Sequence, residues 1–283
     1  MRNMILTFVM ALAACARPTS AAGTQIHTPQ VQDRGAQADD AEALEFDHLH
    51  TDLSNVLGDH VHGDRVDYAG LLEERAGLDQ YTADLEQVTR GAFDGWSDDE
   101  RFAFWVNAYN AYTLQIVIDN YPVKSIRDIR RGLTGVWDIK FIDLGELTAT
   151  SARATISLNH IEHEILRKEY SDARVHAAVN CASVGCPPIA KAAFDAEHLD
   201  KQLDRQVRAW LADSARNRVD REGGRLEVSK IFDWFEEDFK RDAGSVAAWV
   251  KRYADDDTVA WLTSMEKVKV RHLDYSWKLN DLE

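Results

Sequence analysis

Apolar residues recur at helical spacing over Leu44, Leu49, Leu53, Val56 and Leu57, and Gly58 ends the helix they predict. Val61–Tyr68 reads as a short extended piece. Leu71–Val88 follows as a second amphipathic helix, with Leu71, Leu72, Leu78, Tyr81, Leu85 and Val88 on its buried side. The most distinctive stretch comes next. Ser97 and Glu100 have capping-box spacing, in which hydroxyl and carboxylate satisfy backbone N–H groups that a helix start leaves orphaned. From Phe102 to Ile118 the residues are apolar on nearly every side, which marks a central, buried helix ending near Pro122. Asn107 and Asn110 lie on one face of it. A buried amide must find hydrogen-bond partners, so these two either bind neighbouring loop backbone or serve a site.

Further along, Trp137–Leu147 reads as strand and turn, and Ser157 caps a short helix over Leu158–Arg167. Arg174–Cys181 has the pattern of a compact buried strand, running into the loop Ala182–Pro188. Asp195 caps a helix carrying Leu199, Leu203, Val207 and Leu211 inside. Arg218–Ser229 is a hairpin turning at Gly223-Gly224. Two helices follow near Ile231–Lys240 and Ser245–Tyr253, and Val268–Leu279 closes the chain as an extended segment. Helices and strands interleave without regular βαβ units. The expected class is α+β: a single domain with the central helix packed against a small mixed or antiparallel sheet.

The N-terminus carries a different pattern. Arg2 precedes a run of roughly ten apolar residues, Ile5–Ala14, and the run exits through Leu12-Ala13-Ala14-Cys15. A spanning helix needs about twenty residues, so the run is a secretory signal. Its exit is similar to a bacterial lipobox, in which the cysteine thiol is acylated and the chain is cut just before it. Lipid on Cys15 would anchor a soluble domain to a membrane without threading it through. Ala16, where inner-membrane retention signals often have Asp, favours the outer membrane. The alternative is an ordinary signal cut near Ala21 or Ala22. Residues 15–40 are polar, contain Pro18 and Pro29, and show no apolar period, so they read as a tether. Three parts are therefore expected: a signal peptide over 1–14, a lipidated tether over 15–40, and one globular domain over 41–283 facing the periplasm.

Charge narrows the partners. Lys and Arg number 33 against 48 Asp and Glu, a formal net charge of -15. Such a surface repels phosphate backbones and anionic headgroups, which excludes nucleic acid. No cofactor is expected.

Three blocks carry a family likeness: Phe104–Tyr112, Leu158–His163 with Ile165–Arg167, and Arg174–Pro188. They resemble the domain-of-unknown-function family 547, and the tail Leu273–Asn280 is similar to its closing block. Ser276 stands where the family often has an acidic residue. The resemblance spans most of residues 45–280 and implies no particular activity.

The cysteines hold the chemistry. With Cys15 given to lipid, Cys181 and Cys186 remain, four residues between them in one loop. An oxidising compartment favours a structural disulfide between the two, in a domain that binds a peptide, protein or small molecule. The competing reading makes Cys181 a nucleophile of a hydrolase or acyl transferase, with His176 or His163 as base and Asn107 or Asn110 orienting the imidazole or holding an oxyanion. In a regular strand His176 and Cys181 would point to opposite faces, so that reading requires the chain to bend before Cys181. Thiol–disulfide exchange is its variant. A mixed site of His160, His163, His176 and Cys181 is the third possibility, although neither this spacing nor the pairs His48/His50 and His60/His62 match a standard zinc pattern. Glu162 and Glu164 are expected to solvate their helix.

Overall fold

The capping box closes as its spacing predicts: Ser97 Oγ accepts from Glu100 N–H at 3.2 Å and Glu100 Oε2 accepts from Ser97 N–H at 2.7 Å. In this computed structural model, which describes residues 45–148 and 154–282, the cap starts a 21-residue helix, Asp98–Ile118, whose second turn onward is buried almost all round. The expected signal segment, Cys15 and the expected tether lie outside the described residues. No described helix is long and apolar enough to cross a membrane.

Around this central helix lie α1 (Thr51–His60), the hairpin β1 (Val61–His62) and β2 (Arg65–Val66), α2 (Tyr68–Glu73), α3 (Ala76–Gln87) and α4 (Arg90–Asp94); the central helix is α5. The small ribbon β3 (Arg130–Arg131) and β4 (Thr134–Gly135) comes next. A π-helix, His160–Leu166, then runs directly into α6 (Arg167–Glu169), followed by α7 (Val175–Ala178) and α8 (Leu199–Ala212). The last third contains β5 (Arg218–Asp220), β6 (Arg225–Val228), α9 (Ile231–Trp234), α10 (Glu236–Ala243), α11 (Val246–Tyr253), α12 (Asp256–Ser264) and β7 (Lys269–His272). β5 pairs antiparallel with β6 and β7 pairs parallel with it, so the class is α+β with a small mixed sheet.

Two apolar clusters result. One surrounds α5 and gathers Leu53, Leu71, Leu78 and Ile161 against Phe104 and Trp105. The other joins α8 to the last third, where Trp210 stacks on Phe232 at 4.6 Å and Trp249 meets Phe239 at 4.8 Å. The short helix α7 divides its residues between them: Val175 and Ala178 belong to the first cluster, Ala177 to the second. The segment that carries His176 is thus the seam of the domain.

Several expectations change. Arg174–Cys181 is not a strand. Val175–Ala178 wind into α7, preceded by Asp172, whose carboxylate accepts from Arg174 N–H at 2.8 Å. A short run buried on both sides has the same pattern in a strand and in a helix, and its alanines favour the helix. Trp137–Leu147 likewise forms two single 3₁₀ turns and one isolated bridge, Ile142 with Ile156. Leu71–Val88 breaks at Glu74-Arg75, where charges interrupt the apolar period and Arg75 pairs with Asp79 and Asp119. The first helix passes through Gly58, which faces open space, and ends at His60; Leu49 is exposed. The helix near Ile231–Lys240 breaks at Phe235, and α12 had no counterpart in the sequence reading.

One buried ring sets an acid limit. His50 precedes α1 with φ 50, and its Nδ1 lies 2.7 Å from the Tyr81 hydroxyl. Burial lowers its pKa from 6.5 to about 4, against an opposing pull from Asp47. The folded state therefore holds it neutral where the unfolded chain binds a proton. Stability falls as pH drops from 6.5 to about 4, by about 3 kcal/mol from this group. Thermal unfolding across that window should show the slope, and His50→Asn, which tolerates the left-handed backbone, should flatten it.

Candidate functional site

The loop after α7 would bury bare backbone against α5, and two amides on α5 prevent that. Asn110 Nδ2 donates to Ala178 O at 3.0 Å while its Oδ1 accepts from Asn180 N–H at 2.8 Å. Asn107 treats Phe194 in the same way, donating to its carbonyl at 2.7 Å and accepting from its N–H at 3.0 Å. Asn180 continues the scheme, donating to Pro187 O and accepting from Ala182 N–H. Both α5 amides are thus engaged with loop backbone, and neither lines the cleft described next.

That cleft, of about 180 Å³, opens over the loop. Cys181 and Cys186 are joined by a disulfide. The Tyr275 hydroxyl caps both sulfurs, at 3.1 Å from Cys181 Sγ and 3.2 Å from Cys186 Sγ. Its ring can approach because Gly185 has no side chain: a Cβ there would stand 2.8 Å from the ring. The C-terminal segment straps the loop, with Val184 N–H donating to Lys278 O and Gly185 N–H to Ser276 O. Ser276 acts there through its backbone carbonyl. Burial pushes the Tyr275 phenol well above its usual pKa, so it stays a hydroxyl.

His176 lies on another wall of the same cleft, its ring stacked on Phe235 at 4.1 Å. Its Nε2 meets Asp238 Oδ2 at 2.8 Å. The same carboxylate accepts from Arg167 Nε at 2.7 Å and from Arg241 Nη1 at 2.9 Å. Burial would raise the pKa of Asp238, but hydrogen bonds from His176 and Arg167 outweigh it and hold the carboxyl well below the usual range. An ionised Asp238 requires a proton on Nε2, and in the neutral imidazole that leaves Nδ1 as the acceptor. His163 also lines the cleft. Arg167 Nη1 lies 3.1 Å from its Nδ1, and because arginine only donates, Nδ1 accepts.

The structure therefore brings Cys181, His176 and His163 to one cavity and leaves Asn107, Asn110 and His160 outside its walls. The strand geometry that set His176 against Cys181 is gone, since the chain leaves α7 at Val179 and passes Ala182 at φ 58. Among the described residues no three His, Cys, Asp or Glu side chains group to hold a metal ion. The π-helical turn, with its i→i+5 bonds, also removes the i,i+3 alignment expected of His160 and His163. Glu162 does not solvate its helix: it is 9% exposed and faces the cleft, whereas exposed Glu164 pairs with Lys168. The period of Leu158, Ile161, Ile165 and Leu166 already put Glu162 inside that stripe. Asp238 had no such signal, being one acid in the run Glu236-Glu237-Asp238.

A family model described as "Protein of unknown function, DUF547" matches residues 93–211, and the chain resembles that family. No curated protein and no solved structure matches the chain. The matched span holds Asn107, Asn110, Glu162, His176 and both loop cysteines. Asp238, Tyr275 and the tryptophans Trp234 and Trp277 lie beyond it.

If the α5 amides are structural, Asn110→Ala should leave Ala178 O and Asn180 N–H buried without partners. Each orphaned group costs about 1–3 kcal/mol. Urea unfolding should register the loss for Asn110→Ala and for Asn107→Ala alike.

Proposed function

We propose that this domain is a cysteine-dependent hydrolase or acyl transferase of the cell envelope, held to the membrane by lipid on Cys15 and resting with Cys181 and Cys186 joined. The observation that carries the reading is the buried pair of Asp238 and His176, whose imidazole lines the same cleft as Cys181. Burying an ionised carboxylate with three donors around an imidazole is costly, and such an arrangement fixes a tautomer. A dithiol reductant opens the disulfide by exchange: its two thiols give two electrons and two protons, become a disulfide, and leave Cys181 and Cys186 as thiols. His176 Nδ1 then takes the Cys181 proton. The thiolate attacks a carbonyl carbon, the leaving group departs with the proton from His176, and an acyl thioester remains for water or an acceptor. Asp238 keeps its place as the positioning residue that holds the ring.

A second reading is favoured by the closed loop itself. Tyr275 on both sulfurs and the strap from Ser276 and Lys278 suit a binding domain that never opens. The envelope location rests on the Leu12–Cys15 sequence.

Chemistry separates the two. In the native protein neither Cys181 nor Cys186 should alkylate. After reduction with dithiothreitol, Cys181 should alkylate faster than Cys186 and take an acetyl group from 4-nitrophenyl acetate, located by mass mapping of residues 174–190. His176→Ala should slow acetylation by about a hundredfold or more. Equal, slow reaction of both thiols, unaffected by His176→Ala, would establish the binding domain instead.

A further inference from the structure

Beyond the thiol, the cleft has a second chemical feature. Glu162 is about nine-tenths buried, lines the cavity, and has no ion-pair partner among the described residues. Around it the walls are aromatic. Trp137 and Trp277 meet edge to face at 5.5 Å, and Trp234 stacks on Trp277 at 5.6 Å. Tyr109 completes that side with a buried phenol that hydrogen-bonds Glu162, its ionisation pushed well up by burial, then by the charge of Glu162 and by that bond.

We propose that this cleft binds an organic cation, an ammonium or guanidinium group of the substrate, with Glu162 as its counter-charge and the tryptophans as its walls. A carboxylate in a largely apolar cavity whose hydrogen-bond partner is a neutral phenol, with no cation paired to it, is stabilised by a cation that enters. Tryptophan faces add attraction for the same charge through the ring quadrupole. Rings of this site already accept cations: Arg127 lies over Trp277 at 5.2 Å and Arg167 over Phe235 at 4.7 Å. Neither competes for Glu162 by pairing, since Arg167 pairs with Asp238 and Arg127 is exposed. The remaining groups on these walls are His163, engaged with Arg167, and His176, engaged with Asp238. A net charge of -15 draws cations toward the molecule as well.

The inference deepens the proposed cysteine chemistry by naming its substrate class, yet it is tested with the disulfide closed, so cation binding and thiol reactivity fail separately. The full oxidised chain is titrated with n-butylamine and butylguanidine as cations, n-butanol as the neutral isostere and butyrate as the anion. Shifts of the tryptophan indole N–H resonances give the readout. At least one cation should bind about tenfold or more tighter than butanol, with butyrate weakest. Glu162→Gln should erase the preference for cation over alcohol, while Glu164→Gln on the outer face keeps it. Trp234→Ala, at a half-exposed rim position, should weaken cation binding in a protein that folds normally, and decides the matter if Glu162→Gln does not fold. Equal affinity for butanol and both cations, no binding of either cation, or an unchanged preference in Glu162→Gln would overturn the proposal.

Discussion

The constraint on which the structure turns is the hydrogen-bonding demand of backbone laid against a helix that is apolar all round. A segment crossing α5 cannot exchange its N–H and C=O groups with water there, and α5 has no backbone bonds to spare. Asn110 and Asn107 resolve this by each offering a donor and an acceptor to one place in the crossing chain. The first fixes the exit of α7, and the second fixes Phe194 before α8. Between these two points runs the loop with Cys181 and Cys186. Its shape follows from the two amides, from Asn180 bonding across its base, and from the C-terminal strap above it.

This explains how much of the molecule the sequence makes legible. Elements whose burial is one-sided or complete over many residues can be read: α5 with its capping box, the hairpin at Gly223-Gly224, where Gly224 adopts φ 60, and the start of α11 at Ser245. Elements at the seam cannot. α7 is four residues long and buried by a different cluster on each side, so no period distinguishes helix from strand. The break at Phe235 is equally silent, though it turns that ring onto His176. The cysteines and His176 declare themselves by residue type, whereas Asp238 comes to His176 across 62 positions of chain. Tyr275 needs the strap to arrive at the sulfurs. Glu162 was within reach, because its apolar neighbours define the buried stripe.

The seam also accounts for why reactive groups collect where they do. Each apolar cluster is a closed packing problem, and a charged side chain buried beside it must have its partners brought to it, as Arg218 and Arg271 are brought to Glu227. Where the clusters meet, α7 presents residues to both, His163 of the π-helix reaches Phe235, and polar groups from one side reach those of the other. Asp238, from the second cluster, receives Arg167 and His176 from the elements between. The pairing is a tie across the boundary as much as a feature of the cleft. It holds α10 to α6 and α7 by charge-assisted hydrogen bonds, which are stronger than neutral ones and directional.

A cleft built this way gains rigidity from its neighbours. Tyr275 sits on Gly185 without a gap, Phe235 lies flat on His176, and Trp234 and Trp277 stack on one another. Tyr275 on the loop and Phe235 on the imidazole cannot swing without opening those contacts, so the positions of Cys181 and His176 are set before anything binds. Preorganised groups do not spend binding energy on being ordered, and that energy remains for desolvating the charge that enters. The imidazole and the carboxylate on these walls are therefore held in place by the same packing that seals the two clusters. A substitution that loosens the seam should alter both together, while one that changes only the Glu162 charge leaves the His176–Asp238 tie intact.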